Sequence, residues 1–430
     1  MESKSWRWCG VLTLFVVAAI SYIDRINLAV LVTDHAFLAH IGLESGDRVR
    51  QGMFATVFLV GYGLSSVLLT PFCSALLGVR QSLIYGLAFW GALTFASPLA
   101  HGYGLILTSR LLLGIAEGPL YSLAAAYIKA HFTSRESGKP NSLVNMGTGI
   151  GLAIGYPLVS YLLTHFDWQT SFHVIGLVNI VLGIPLVIAF VHMPGKERHG
   201  SSAPPPRAAM PVRQVVAGAW QTRHLILITV LTSAALAYLW GSSNWLPAYL
   251  KVSRGFSLRE MGWLASLPQY AMVCGVLMGG IVLDKLQRRW VPCMFLVGSL
   301  SVALAVWLTI QTADRYWAAA GMVAANFFWG LQAPAIPSIV QDNSRAEYTA
   351  SAFGVVNGVG SLIAGLMPLA MGGVISAVSA GSGGAASGFF AGFALLIGTQ
   401  LVVFICGLIL WLRERAERRS LVPASSGLSA

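Results

Sequence analysis

Residues 103–130 read YGLILTSRLLLGIAEGPLYSLAAAYIKA, an apolar run with two charges in its interior, Arg110 and Glu117, and a third, Lys129, at its end. A helix of this length measures about 42 Å, whereas the hydrocarbon core of a bilayer is about 30 Å thick. The run therefore predicts a helix that crosses a membrane and carries two charges inside it.

Comparable apolar runs recur along the whole chain of 430 residues, of which 56% are hydrophobic and only 10% are charged. Soluble proteins carry about 25% charged residues, so a water-exposed surface does not account for this composition. The sequence predicts an all-α integral membrane protein with twelve transmembrane helices. The predicted spans are 8–32, 52–77, 82–98, 103–130, 141–164, 172–193, 224–250, 261–283, 290–311, 316–340, 351–378 and 388–412.

One segment between the sixth and seventh spans is too polar to cross a membrane. It contains three consecutive prolines, Pro204 to Pro206, and several basic residues, and we interpret it as a linker. The predicted organisation is an N-terminal six-helix bundle (1–193), a cytoplasmic linker (194–222), a C-terminal six-helix bundle (223–413) and a cytoplasmic tail (414–430). The two bundles are expected to be pseudo-symmetric.

The Lys and Arg residues in the predicted loops are distributed unequally between the two sides of the membrane. With the N-terminus inside, 19 lie on the inner side and 6 on the outer side. Because positive charge is retained on the cytoplasmic side, both termini are predicted to be cytoplasmic, in a bacterial inner membrane. The net charge of +11 is thereby explained without nucleic acid, which is not an expected partner.

Only four of the 27 basic and 16 acidic residues lie well inside predicted spans. They are Asp24 and Arg25 in the first span, and Arg110 and Glu117 in the fourth. A charge at mid-bilayer costs about 2.5–3.5 kcal/mol even on mild scales, so these groups are expected to face a polar interior and to neutralise each other.

Two interpretations of these four charges are open. They form two structural ion pairs, although apolar packing stabilises a fold equally well. Alternatively, they link proton binding to anion binding. Arginine keeps its proton whereas a buried carboxylate can take one up, and a guanidinium so released is a forked donor suited to an anion. We favour the second interpretation, with Asp24 and Glu117 as proton-coupling residues.

The chain resembles the major facilitator superfamily in its six plus six spans and its central linker. The segment from Gly280 to Arg289, GIVLDKLQRR, is similar to the superfamily's loop signature, in which an Asp and basic residues cap helix ends and latch the cytoplasmic side. The first-half counterpart, residues 71–80, lacks the Asp. This resemblance implies a substrate site between the two bundles near the middle of the membrane.

Three segments resemble the anion:cation symporter family within that superfamily. They are YIDRIN (22–27), RLLLGIAEGP (110–119) and AHFTSRESGK (130–139). The resemblance implies that Arg25 and Arg110 engage the anion and that Asp24 and Glu117 carry protons. Family substrates include sugar acids, aromatic carboxylates and sulfonates, and nothing in the sequence selects one. Thr148 stands where sugar-acid carriers have a substrate-contacting Gln, a difference that weakens a sugar-acid assignment.

Further candidate substrate contacts are polar or aromatic residues inside spans: Tyr62, Asn357, Trp240, Asn244, Gln269 and Thr148. Each has a structural alternative, such as packing for Tyr62 or an interhelical hydrogen bond for Asn357. Gly241 and Pro247 are expected to interrupt the seventh span near Trp240 and Asn244, at a cavity.

The sequence therefore predicts a secondary active transporter, not an enzyme, that takes up a small organic anion with protons by alternating access. Its expected partners are the anion, protons and the lipid bilayer, and a monomer is expected, with no metal or cofactor. The main alternative is a proton-coupled exporter of a drug or metabolite, since residues 147–157 are rich in glycine, as in antiporters. A membrane enzyme would need His or Asp clusters near a membrane face, and a transporter-like receptor would bind an anion without moving it.

Overall fold

The computed structural model describes residues 4–31, 34–44, 48–193, 211–256, 258–379 and 384–421, and all regular structure within these ranges is helical. The helices before residue 194, here the first half, are α1 (Lys4–Leu31), α2 (His35–Ile41), α3 (Arg48–Phe72), α4 (Gly78–Ala96), α5 (Tyr103–Glu117), α6 (Leu120–His131), α7 (Gly138–His165), α8 (Trp168–Val178) and α9 (Ile184–Phe190). Those of the second half are α10 (Val212–Trp220), α11 (Leu225–Ala248), α12 (Leu258–Lys285), α13 (Val291–Gln311), α14 (Arg315–Gln332), α15 (Ala335–Asn343), α16 (Thr349–Ala364), α17 (Met367–Ser379) and α18 (Gly384–Leu421).

Ten helical stretches of the described residues are long and apolar enough to cross a membrane. One of them, Met53–Leu99, has 47 residues and contains the second and third predicted spans, which are separated at Gly78. Gly78 has a φ of +76°, a conformation that glycine adopts without strain. The fifth predicted span corresponds to α7, which has 28 residues. The predicted all-helical membrane fold is confirmed.

Proline divides the fourth predicted span into α5 and α6. Pro119 has no N–H group, so the carbonyl of Ile115 lacks its usual partner four residues later. Ser65 of α3 donates a hydrogen bond to that carbonyl at 2.5 Å. A side chain of a neighbouring helix thus satisfies the backbone group that the break exposes, as the absence of water in a bilayer requires. The tenth span is divided in the same way, at Pro334 between α14 and α15.

The two halves pack their helices in equivalent pairs. In the first half α1 packs on α7, α3 on α5, and α4 on α8; in the second half α11 packs on α16, α12 on α14, and α13 on α18. The halves meet where α3 contacts α16 and where α7 contacts α12. The first interface joins the second span to the eleventh, and the other joins the fifth span to the eighth. A pseudo-twofold rotation that relates the two halves exchanges these two interfaces.

Part of the predicted linker is helical. Residues 194–210 lie outside the described residues, but α10 occupies 212–220 and packs on α16 and α3. Val215 and Ala219, four residues apart, are buried on one face of α10, and a side chain at Gly218 would collide with the ring of Tyr348. The boundaries of the two bundles at 193 and 223 stay a prediction.

The predicted interruption of the seventh span is wrong. Helix α11 is continuous from Leu225 to Ala248 and passes into a short π-helical segment at Tyr249. Gly241 serves close packing instead, since a Cβ atom there would lie 2.8 Å from the sulfur of Met371.

Glycine allows α5 to approach α3 closely. A Cβ atom on Gly114 would lie only 2.2 Å from the carbonyl oxygen of Phe58, a backbone atom that has little freedom to move. Gly104 in the same helix has no neighbouring atom within 4 Å of the equivalent position. The two glycines thus form a matched pair, one at a helix contact and one in open space.

We predict that Gly114→Ala destabilises the protein by about 1–3 kcal/mol, because the methyl group separates α3 from α5. Gly104→Ala, the control, should be neutral or slightly stabilising, because alanine is the better helix former. The apparent melting temperature of both variants in detergent checks this. A Gly114→Ala protein as stable as Gly104→Ala would contradict the close approach.

Candidate functional site

The four charged residues predicted inside the membrane form two ion pairs between α1 and α5. Arg25 Nε donates a hydrogen bond to Glu117 Oε2 at 2.9 Å. Arg110 Nη1 lies 3.9 Å from Asp24 Oδ1. Neighbouring residues of a helix point about 100° apart, so Asp24 and Arg25 reach different partners and not each other. All four side chains are buried, and the carboxylates are completely inaccessible.

The Asp24–Arg110 pair lies among structural contacts. Thr94 of α4 donates a hydrogen bond to Asp24 Oδ2 at 2.6 Å, which ties α1 to α4 as well as to α5. The guanidinium of Arg110 lies 5.8 Å from the ring centroid of Phe172. Besides α1 and α5, two other helices of the first half, α4 and α8, therefore contact the pair.

Arg25 has a different, aromatic environment. Its guanidinium carbon lies 4.3 Å from the ring centroid of Tyr22, 4.7 Å from that of Tyr62 and 5.0 Å from that of Phe58. Cation–π contacts of this kind stabilise a charge in a site with little water. Nη2 of Arg25 is buried and has no hydrogen-bond partner within the described part of the chain. The guanidinium therefore retains an unused donor.

A cavity between the two halves is lined by Arg25 and by residues of both halves. Of the predicted substrate contacts it includes Arg25, Tyr62, Thr148, Trp240 and Asn357. Asn357 Nδ2 donates a hydrogen bond to the hydroxyl of Tyr62 at 2.8 Å and so connects the second half to the first. The hydroxyls of Tyr121 and Thr148 lie 2.8 Å apart.

Three predicted substrate contacts do not lie on the cavity wall. Arg110 pairs with Asp24 and does not line the cavity. Asn244 is exposed and donates to the carbonyl of Trp240 in its own helix at 2.7 Å. Gln269 of α12 is also absent from the wall. Glu117 and Asp24, predicted to couple protons, lie behind the wall and not on it.

Several wall residues were not among the predicted contacts, notably Tyr22, Tyr121, Thr232, Phe353 and Ser361. Helical spacing offered a signal for two of them. Tyr22 lies one turn before Arg25, and Tyr121 follows Glu117 by four residues, so each shares a helix face with a charged residue. The apolar wall residues carry no such signal, because similar apolar residues occur in any transmembrane helix.

Hydrogen bonds join the two halves at one end of the bundle, here named the basic end, where loops 132–137 and 286–290 lie. Asp284 accepts hydrogen bonds from the backbone N–H groups of Gly138 at 2.7 Å and Lys139 at 3.3 Å, at the first turn of α7. An acceptor at the start of a helix satisfies free donors and complements the helix dipole. The capping role implied for Asp284 by resemblance thus has the matching geometry, across the two halves.

Further hydrogen bonds join the halves at the basic end. Arg288 donates to Ser137 at 3.0 Å and pairs with Asp342 at 2.9 Å. Asn141 donates to Gln341 at 2.9 Å, and Lys129 donates to the carbonyl of Gln341. The contacts of Arg288 with Ser137 and of Asn141 and Lys129 with Gln341 cross between the halves and hold the start of α7 against α15.

The profile of the Major Facilitator Superfamily matches residues 14–368. The chain belongs to this superfamily. It is a transporter and not an enzyme.

Named relatives and a solved structure agree with this membership. The chain is 26% identical over 283 residues to the "Probable sulfoacetate transporter SauU" of Cupriavidus necator, a match that covers 63% of each chain. It is 24% identical to the "Probable galactarate/D-glucarate transporter GarP" of Escherichia coli, over 93% of this chain and 95% of the relative. The fold superimposes on the human organic anion transporter MFSD10 (TETRAN) with a TM-score of 0.73 and 16% identity, over 94% of this chain and 100% of that one.

We predict that Arg110→Met destabilises the protein by about 3–5 kcal/mol, because it leaves Asp24 as an uncompensated buried charge. Replacing both partners, in Asp24→Leu with Arg110→Met, should restore most of the stability, because no lone charge remains. The double-mutant cycle compares the wild type, Arg110→Met, Asp24→Leu and the double variant by their apparent melting temperatures in detergent at pH 8.

Arg345→Met is the control for loss of a cation, because Arg345 is exposed and lies outside the charge cluster. It should melt like the wild type. A double variant whose loss of stability equals the sum of the two single losses would show that Asp24 and Arg110 do not interact.

Proposed function

We propose that the protein is a secondary active transporter that takes up a small organic anion together with protons by alternating access, in a bacterial inner membrane with both termini in the cytoplasm. The observation that carries the proposal is the position of Arg25. Arg25 lines the cavity, while its carboxylate partner, Glu117, is completely buried and does not line it.

This geometry makes proton and anion binding mutually dependent. While Glu117 is ionised, it occupies Nε of Arg25. When Glu117 takes up a proton, the guanidinium loses its counter-charge in a place where an unpaired charge is costly. An anion in the cavity supplies the missing charge and accepts hydrogen bonds from the guanidinium, including from the unused Nη2. Each ligand thereby raises the affinity for the other.

In the proposal the Asp24–Arg110 ion pair also links proton binding to anion binding. With both carboxylates ionised, the four buried charges sum to zero. A proton on Asp24 would leave Arg110 without its partner and add positive charge close to Arg25. In the proposal Glu117 couples the proton to Arg25 directly, and Asp24 acts through the electrostatic field of Arg110, since Arg110 does not reach the cavity.

The names of the relatives support an anion as substrate. Sulfoacetate, galactarate and D-glucarate are all small organic anions. The contacts at the basic end support alternating access, because they join the halves and must break before the cavity opens there. In the proposal this end lies on the cytoplasmic side, and the carrier receives substrate from outside while these contacts hold.

The proposal is tested in proteoliposomes that enclose a pH-sensitive dye, with an inwardly directed gradient of one anion at a time. Phenylacetate, D-gluconate and sulfoacetate are suitable probes. Acidification of the lumen on addition of at least one of them, absent in empty liposomes, is expected. Anion entry without proton entry would contradict symport, and proton exit would indicate an exporter.

We predict that Glu117→Gln behaves as the permanently protonated carrier. The amide cannot release a proton, so the variant should exchange an anion across the membrane but fail to accumulate it against a gradient. Counterflow and pH-driven uptake of the same probe, measured in parallel, separate the two activities. If Glu117→Gln accumulates the anion like the wild type, the coupling role passes to Asp24.

We predict that anion affinity in the wild type weakens from pH 5 to pH 8, because protons leave the carboxylates and the arginines become occupied again. The combined variant Asp24→Asn with Glu117→Gln should show a flat profile, since it has no carboxylate left to titrate in the cluster. Affinity that is flat or strengthens with pH in the wild type would defeat the proposed linkage.

We predict that Arg25→Lys and Arg25→Ala both lose transport while the protein still inserts into the membrane. Lysine keeps the charge but not the planar fork that binds a carboxylate with two hydrogen bonds, and its ammonium stacks less well on aromatic rings. Near-normal uptake by Arg25→Lys would count against a forked contact.

A further inference from the structure

The cavity has two unlike walls. The first half contributes the guanidinium of Arg25 and the polar groups around it. The second half contributes mainly apolar side chains, among them Leu236, Leu239, Trp240, Met272, Ile336 and Phe353. A ligand that fills the cavity therefore meets a charge on one side and hydrocarbon on the other.

Only one ionised side chain lies on the wall within the described residues, and it is Arg25. Arg110, the second cation of the cluster, is engaged with Asp24 away from the cavity. One guanidinium matches one carboxylate, so a second carboxylate on the ligand would enter the apolar side without a partner. Burying an unpaired charge in such a place is strongly unfavourable, and the cavity therefore favours a monoanion.

Several polar groups of the wall already have hydrogen-bond partners inside the protein. Asn357 donates to Tyr62, and the hydroxyls of Tyr121 and Thr148 share a hydrogen bond. The indole N–H of Trp329 donates to the carbonyl of Ala235 at 2.9 Å, inside its own half. Asn145 likewise donates to the carbonyl of Asn141 at 2.8 Å.

A ligand with many hydroxyl groups would have to break these hydrogen bonds or bury hydroxyls against carbon. Not every group is engaged: Thr232 Oγ1 is buried without a hydrogen-bond partner among the described residues and is available to one hydroxyl. Buried polar groups are tolerated only when they are paired, so the wall disfavours a chain of hydroxyls.

We propose that the transported anion is a monocarboxylate with an apolar, aromatic body, and not a polyhydroxylated sugar acid. This inference rests on the proposed function and names the substrate class of the same cavity. The carboxylate binds Arg25, and the ring lies against the second-half wall, where Trp240 and Trp329 offer aromatic faces.

The test compares three probes of similar size by calorimetric titration of the purified protein at pH 6. Phenylacetate has the proposed form, D-gluconate has the same charge on a polyhydroxylated chain, and phenylacetamide is the neutral isostere of phenylacetate. We expect phenylacetate to bind about tenfold more tightly than D-gluconate or better, and phenylacetamide not to bind.

Trp240→Ala tests the apolar wall, because Trp240 is a partly exposed aromatic residue of that wall. It should weaken phenylacetate binding about tenfold and leave D-gluconate unchanged. Trp307→Ala is the matched control, since Trp307 is 47% exposed and does not line the cavity. It should change neither affinity.

The outcomes separate the substrate class from the proposed function. Tighter binding of D-gluconate, no binding of phenylacetate, or a Trp240→Ala variant with unchanged phenylacetate affinity overturns the substrate class. The function survives each of these results if D-gluconate or sulfoacetate still drives proton entry into proteoliposomes in a manner abolished by Arg25→Ala. Both would be overturned if phenylacetate drove proton entry above that of empty liposomes and this entry persisted in Arg25→Ala. The anion would then not be held by that guanidinium.

Discussion

The ion pair between Arg25 and Glu117 is the contact on which the rest of the site depends. A guanidinium and a carboxylate buried in the middle of a helical bundle are tolerated only as partners, and here a 2.9 Å hydrogen bond joins them. The pair fixes the rotation of α1 relative to α5 and so directs Arg25 toward the cavity. The aromatic rings of Tyr22, Tyr62 and Phe58 complete its surroundings and replace water around the cation.

The same energetics turn a stabilising contact into a proposed coupling device. Removing one partner of a buried pair costs about 3–5 kcal/mol, so the protonated Glu117 cannot persist beside an unpaired Arg25 without penalty. An arriving anion removes that penalty. The Asp24–Arg110 pair differs because Thr94 also holds Asp24, and neither residue of this pair lines the cavity. One pair is thus placed to exchange its partner with a ligand, and the other to hold three helices together and set the local field.

Much of the fold followed from the sequence because membrane insertion depends on length and hydropathy, which a sequence displays directly. The four intramembrane charges were equally visible, since each stands out against an apolar background. The pairing was not, because the rotation of α1 that sends Arg25 to Glu117 and Asp24 to Arg110 is set by packing. Because the pairing was not visible in the sequence, Arg110 was expected to contact the substrate. Neither the presence of α10 nor the continuity of α11 was predicted. Gly218 and Gly241 pack against residues that are distant in the sequence, and no local pattern reveals such contacts.

The apolar wall of the second half was the part least accessible to sequence reasoning, and it gives the cavity its asymmetry. Leu239, Met272 and Ile336 resemble any lipid-facing or packing residues until the fold places them opposite Arg25. A ligand that binds the cation with one end and this wall with the other spans both halves. Its binding energy is then available only when the halves approach each other around it. Alternating access requires such a dependence, since a carrier whose two halves bound the ligand independently would gain nothing from closing.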